Sequence, residues 1–141
     1  MTRTARPYEE GSIGASGRES QRLRPIHNRL RHWLVEEPAY MKLADAAFRK
    51  LSDAFDSIDA EDADLDSKGD VITITFRNKQ RCVINTQRPT RQIWLAGGQR
   101  AWHFAWDDST QTWLDDKGSG AELFATIAGI AKDAGGLDLR F

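Results

Sequence analysis

Carboxylates are the densest group of side chains in this sequence that could do chemistry. Residues 43–70 hold nine acidic side chains and three basic ones. Carboxylate oxygens are hard ligands, so a surface rich in them and free of histidine or thiol would bind iron or other hard cations weakly, with open coordination. A solvated acidic face that protects an edge strand from pairing would have the same composition. The candidate ligands are Asp53, Asp56, Asp59, Glu61, Asp62, Asp64 and Asp66.

A second group of side chains suits recognition. Residues 71–105 hold six basic side chains and no acidic one. A tryptophan among arginines and amides on a rigid sheet is typical of a protein-recognition surface. The same composition could stack nucleic-acid bases, and a surface tryptophan that only covers its neighbours is the third interpretation. The group comprises Asn85, Gln87, Arg91, Gln92, Trp94, Arg100 and His103.

Trp94 is predicted to face solvent because side chains alternate along a strand. Gln92 and Trp94 point to one side of the sheet, and Ile93 and Leu95 point to the other. If the aliphatic pair lies in the core, the tryptophan must lie outside it.

The sequence contains no recognisable catalytic motif. The sequence lacks a phosphate-binding GxxxxGK[ST] loop, a GxSxG elbow and an HExxH zinc motif. Cys82 is the single cysteine, which excludes an internal disulfide and a CxxC-type zinc site and indicates a reduced core residue. His103 has no second histidine in the folded region to form a dyad. We therefore expect a protein that is not an enzyme, with weak ferroxidase activity as the alternative.

The predicted order of elements is helix, about six strands, helix. Apolar residues at spacings of three and four predict an amphipathic helix over 39–57 and a second helix after Ser119. Ser119 and Glu122 match a capping box, and Gly135 and Gly136 are predicted to end the helix. β-Branched and aromatic runs between turn residues predict strands over 63–66, 71–76, 81–85, 92–96, 101–106 and 112–114.

The strands are predicted to form one antiparallel sheet, because consecutive strands have short connections. Two helices suffice to cover one face of such a sheet. The predicted fold is an α+β two-layer α/β sandwich, with both helices on one face and solvent on the other. Trp102, Phe104 and Trp106 share one strand face and are core candidates, and Trp113 is expected to pack at the end of the sheet.

Residues 1–38 differ from the rest of the chain. They are rich in Gly, Ser and Arg without a sustained period, which predicts a flexible extension before a domain over 39–141. IHNRLRHWLVEE could form a short helix. Arginine and serine also mark organellar transit peptides, but those are poor in acids and this stretch carries five glutamates. We expect a cytoplasmic protein without a membrane span, with the mitochondrial matrix as the alternative.

The stretch NTQRPTRQIWL, residues 85–95, resembles the signature of the frataxin family. VITITF before it, LADAAF in the first helix and WHFAW after the glycine turn are similar to the family as well. The resemblance covers about residues 39–135 and is closest to the bacterial members. The residues that carry the central motif are Asn85, Gln87, Pro89, Gln92, Ile93, Trp94 and Leu95.

The resemblance implies a frataxin fold, weak surface sites for Fe(II) or Fe(III) on the acidic ridge, and a role as iron chaperone or regulator in iron–sulfur cluster assembly. The implied partners are a cysteine desulfurase and the iron–sulfur scaffold protein. Neither a membrane nor a nucleic acid is expected as a partner, and the chain is expected to be a monomer that could oligomerise with iron. An iron-storage or ferroxidase oligomer is the alternative. By position, Asn85, Gln92 and Trp94 would contact the partner, with Gln87 and His103 beside them.

Overall fold

Two helices and one six-stranded sheet make up residues 35–141, the part of the chain that the computed structural model describes. The proposed flexibility of the N-terminal extension, and most of the short helix proposed in it, fall outside these residues. No helix in the described part is long and apolar enough to span a bilayer. The elements are α1 (Glu37–Phe55), β1 (Ala63–Lys68), β2 (Val71–Phe76), β3 (Arg81–Gln87), a 3-10 turn (Arg88–Thr90), β4 (Gln92–Gly97), β5 (Arg100–Asp107), β6 (Thr112–Asp115) and α2 (Leu123–Gly135).

The strands lie in the sheet in chain order, and every neighbouring pair is antiparallel. The predicted α+β two-layer sandwich is thereby confirmed. Register fixes which side chains share a face. Ile72 pairs with Ile84, and Ile84 with Leu95, on the side that the helices cover. One residue further along, Asn85 pairs with Trp94, and Trp94 with His103, on the opposite side.

The core forms where the apolar stripe of α1 meets the covered face of the sheet. Tyr40, Ala44, Ala47, Leu51 and Phe55 are the buried residues of α1, and their spacing of three or four is that of one helix face. Against this stripe lie strand residues at alternate positions, as the two-residue period requires. They include Ile72, Ile74, Phe76, Ile84, Ile93, Leu95, Phe104 and Trp113.

Helix α2 packs close to the sheet at a glycine. A Cβ on Gly97 would lie 3.2 Å from Cδ1 of Ile130 and 3.4 Å from Sγ of Cys82, so the side chain of Ile130 would have to shift by a few tenths of an ångström to make room for a larger residue. Cys82 is fully buried, and burial raises the pKa of its thiol to about 12. The predicted position of Cys82 in the core is confirmed. A thiol with a raised pKa is mostly protonated at neutral pH, and the thiolate is the reactive form.

The strand and helix boundaries differ from the predictions by one or two residues at most positions. The burial of the tryptophans on β5 and β6 also differs from the predictions. Trp102 and Trp106, predicted for the core with Phe104, are only half-buried, whereas Phe104 is fully buried. Trp113 lies on the edge strand β6, yet only 2% of it is exposed. It packs edge-on against both Tyr40 and Trp106, so it is a central part of the core.

The predicted capping box at Ser119 is wrong. The N-cap of α2 is Glu122, whose carboxylate accepts hydrogen bonds from the backbone N–H groups of Phe124 and Ala125. Ser119 instead donates its hydroxyl to the largely buried carboxylate of Asp115 at 2.6 Å. A bridge between Leu114 and Glu122 holds Glu122 in an extended conformation, and this contact sets where the helix begins.

Glu122→Ala should lower the free energy of unfolding by about 1 kcal/mol, because two N–H groups at the start of α2 lose their acceptor. Urea unfolding with an unchanged slope would measure it. Glu36→Ala is the matched control, since Glu36 is the N-cap of α1 and makes no side-chain capping bond. Equal losses in the two variants would contradict this capping assignment.

Candidate functional site: the uncovered face of the sheet

The side of the sheet away from the helices carries the residues that the sequence predicts for recognition. We call the outward side chains of Asn85, Gln87, Gln92, Trp94 and His103 the Trp94 face. The pairing places Asn85 and His103 on either side of Trp94, and Gln87 opposite Gln92. All five are partly exposed. The structure therefore brings these five predicted contact residues together on strands β3, β4 and β5.

Trp94 is held in one orientation by two contacts. Its indole Nε1 donates a hydrogen bond to Oε1 of Gln92 at 2.9 Å. Its ring stacks on the imidazole of His103, with centroids 4.1 Å apart and planes inclined by 14°. An aromatic side chain that is fixed before binding loses little conformational entropy when a partner covers it.

Asp116 completes this arrangement, and the sequence analysis missed it. Its Oδ2 accepts a hydrogen bond from Nε2 of Gln92 at 2.9 Å and lies 3.8 Å from Nδ1 of His103. Its backbone N–H donates to the carbonyl of His103 at 2.8 Å. The carboxylate of Asp116 thus contacts both Gln92 and His103, the two residues that hold Trp94. Asp116, Lys117 and Gly118 have the composition of a turn, but continuing the β5–β6 register, in which Phe104 pairs with Asp115, places Asp116 opposite His103.

Tyr40 supports the site from the helical side. Its hydroxyl donates to the carbonyl of Gln92 at 2.6 Å and accepts from the N–H of Gln87 at 3.2 Å. Burial raises the pKa of this phenol above its usual value. The hydroxyl therefore ties α1 to the backbone of β3 and β4 at the point where both strands meet the 3-10 turn.

The two arginines predicted for this group lie elsewhere. The guanidinium of Arg100 lies over the ring of Trp102, 4.7 Å from its centroid, and Trp102 shares the strand side of buried Phe104. Arg91 follows the 3-10 turn with φ of 56° and donates to the carbonyl of Arg88 at 2.6 Å. The basic residues of 71–105 therefore do not form one continuous patch on the Trp94 face.

The seven predicted iron ligands divide among three elements. Asp53 lies in the last turn of α1 and Asp56 is its C-cap. Asp59, Glu61 and Asp62 belong to the connection to β1. Asp64 and Asp66 are exposed and alternate with the more buried Ala63 and Leu65, so they point to the same side of the sheet as Trp94. Along the strand they are about 7 Å apart.

Some of these carboxylates already have partners. Asp62 accepts hydrogen bonds from Nε and Nη2 of Arg77, and this bonding raises the pKa of the guanidinium. Asp66 lies 3.9 Å from Nζ of Lys68, and Asp59 accepts from the N–H of Glu61 at 2.9 Å. Nowhere in residues 35–141 do three His, Cys, Asp or Glu side chains converge on one point. The seven predicted ligands are therefore separate carboxylates that form no clustered metal site within the described residues.

Comparison with known proteins agrees with this architecture. A family model described as a frataxin-like domain matches residues 34–136, a range that contains both helices and all six strands. The iron–sulfur cluster assembly protein CyaY of Delftia acidovorans is 37% identical over 110 residues, which are 76% of this chain and 97% of the relative. The protein of the same name from Pseudomonas aeruginosa is 34% identical over 107 residues, with 76% and 97% covered.

A solved structure gives the same result for the backbone. Frataxin from Psychromonas ingrahamii superposes with a TM-score of 0.66 at 25% sequence identity. The match covers 74% of this chain and 95% of that one. The resemblance carried by residues 85–95 is thereby confirmed at the level of the whole fold.

Asp116→Ala should free Trp94, because Gln92 and His103 both lose their shared acceptor. We expect faster hydrogen exchange of the Trp94 indole N–H and a loss of about 1 kcal/mol in unfolding free energy. Both are measurable by NMR and urea unfolding. Asp45→Ala, on the exposed surface of α1, is the control for removing an acid. An unchanged exchange rate at Trp94 would show that Asp116 does not hold the site.

Proposed function

The chain belongs to the frataxin-like family, and from this premise we propose that it takes part in iron–sulfur cluster assembly. In this proposal it is a non-catalytic protein that binds iron weakly and regulates a complex of cysteine desulfurase and scaffold protein. The observation that carries the proposal is the Trp94 face, a recognition surface on which one tryptophan is fixed by Gln92, His103 and Asp116.

The Trp94 face is suited to a protein partner. Interface hot spots are enriched in tryptophan and lie at the centre of a patch that excludes water. Trp94 has neighbouring strands on both sides, and Asn85 and His103 flank it directly. Small side chains follow along β4 and β5, where Ala96 pairs with Ala101. A partner surface could therefore approach the sheet closely around a single large anchor.

Iron enters the proposal as cargo. The open carboxylates of Asp64 and Asp66 lie on the same side of the sheet as Trp94, so iron held there would be close to a partner docked on that side. Monodentate carboxylates on a surface bind hard cations weakly and release them readily. Such release is what transfer to an assembly complex requires.

The alternatives fit the described residues less well. A ferroxidase needs a fixed redox site with several ligands, commonly including histidine, whereas His103 is stacked on Trp94 and lies apart from the acidic connection. A nucleic-acid platform needs a positive face, but Asp64, Asp66 and Asp116 lie on the side of Trp94 and outnumber Lys68 and Arg81 there. This side of the sheet is therefore not positively charged.

Trp94→Ala should weaken binding to the desulfurase–scaffold pair by about 30-fold, the effect of losing a hot spot of about 2 kcal/mol. Calorimetric titration of the purified pair would measure it, with Tm as a check on folding. Trp102→Ala is the matched control, since it removes a half-exposed tryptophan from the opposite side of the sheet. Wild-type affinity for Trp94→Ala would refute the proposed surface.

Replacing Asp64 and Asp66 together by Asn should reduce the increase in Tm caused by Fe(II) under anaerobic conditions, because ligand binding stabilises by mass action. The same change should raise Tm without cations, since it removes repulsion between carboxylates. Asp45→Asn and Asp133→Asn together form the control. If the double variant responds to Fe(II) like the wild type, the cation does not bind at this strand.

A further inference from the structure

A cleft opens between the two helices, on the side of the sheet opposite to Trp94. Its volume is about 480 Å³. Its lining includes Trp106 and Trp113 from β5 and β6, Leu43 and Ala128 from the two helices, and Phe141 from the C-terminal tail. Most of the lining is apolar.

The cleft is an open groove with the dimensions of a ligand pocket. Pockets that bind small molecules usually have about 300–1,000 Å³ and are lined mainly by apolar and aromatic side chains. The volume and the lining of this cleft both fall within that description.

A second, positively charged recess adjoins the cleft. It has about 370 Å³ and shares Ala46, Lys50 and Phe141 with the apolar part. Arg49, Lys50 and Arg140 line it, against a single acid, Asp53. Within residues 35–141, the structure gives none of these three cations an ion-pair partner.

Lys50 lies at the boundary between the two parts. Its ammonium group lies 4.5 Å from the centroid of the Phe124 ring, so it faces the apolar cleft. The one acidic side chain in the lining of the cleft, Glu122, already accepts two backbone hydrogen bonds at the start of α2. The charge of Lys50 is thus available to an anion that arrives with an apolar group.

We propose that this cleft binds an anionic amphiphile, a molecule with a medium-sized apolar body and a carboxylate or phosphate head. The body would fill the space over Trp106 and Trp113, and the head would meet Lys50, Arg49 and Arg140. The inference rests on the position of the apolar cleft next to a recess whose cations have no ion-pair partner in the described residues. It is independent of the proposed role of the Trp94 face, which lies on the other side of the sheet.

Calorimetry on the full chain tests the proposal with four probes of equal chain length, each below its micelle concentration. Decanoate and decyl phosphate carry the two anionic heads, decanol has no charge, and decyltrimethylammonium has the opposite charge. Two-dimensional NMR would locate the site through the amides of Leu43, Ala46, Ala125 and Ala128. We expect saturable binding of the anions, weaker binding of decanol and none of the cation.

Three variants connect binding to the cleft. Lys50→Glu should weaken the binding of decanoate by about tenfold, because it replaces an attractive charge at the edge of the cleft by a repulsive one, and should leave the binding of decanol unchanged. Lys42→Glu makes the same change of charge on an exposed position of α1 outside the cleft and should have no effect. Ala128→Phe should fill the cleft and abolish binding of every probe. Ala46→Trp, at the junction of the two parts, should block it in the same way.

Two results would overturn the proposal. The first is that neither anion binds saturably to the wild type, and the second is that neither Lys50→Glu nor the two filling variants alter the binding. Binding to phosphatidylglycerol vesicles without binding of the free anions would also overturn it, because that result indicates a membrane surface as the ligand. The Trp94→Ala variant should bind the amphiphile normally, so failure here leaves the proposed function untouched.

Discussion

A six-stranded sheet has two faces, and residues 35–141 supply two helices, which cover one of them. The alternation of apolar and polar positions along the strands follows from that constraint. Inward positions must be apolar along each strand, and outward positions must tolerate water. Register then assembles the outward residues of distant segments into rows. The row through Asn85, Trp94 and His103 exists because each residue occupies an outward position at the same height in its own strand.

The sequence predicts the parts of the structure that depend on the spacing of apolar residues, two residues in strands and three or four in helices. VITITF alternates and is β2, and the stripe from Tyr40 to Phe55 is the buried face of α1. The outward direction of Trp94 follows from the same count and agrees with its partial exposure. The family motif in residues 85–95 adds the identity of the fold, because polar and aromatic residues at those places are not required by a strand alone.

The parts that were missed depend on contacts between segments. Ser119 and Glu122 match a capping box, but the bridge from Leu114 to Glu122 fixes the start of α2. Asp116 looks like a turn residue until the register of β5 and β6 sets it beside His103. The sequence groups Arg100 with the recognition residues, yet its guanidinium lies over Trp102 on the other side of the sheet. The periodicity of a sequence predicts which way a side chain points, but it does not predict which residue of another segment that side chain contacts.

The distribution of tryptophans makes the two surfaces optically separable. Of the tryptophans in residues 35–141, Trp94 alone projects from the uncovered face, whereas Trp106 and Trp113 line the cleft between the helices. Indole emission responds to the polarity of its surroundings. A ligand in the cleft and a protein on the sheet would therefore change the fluorescence of different chromophores, and the chain carries a built-in reporter for each side.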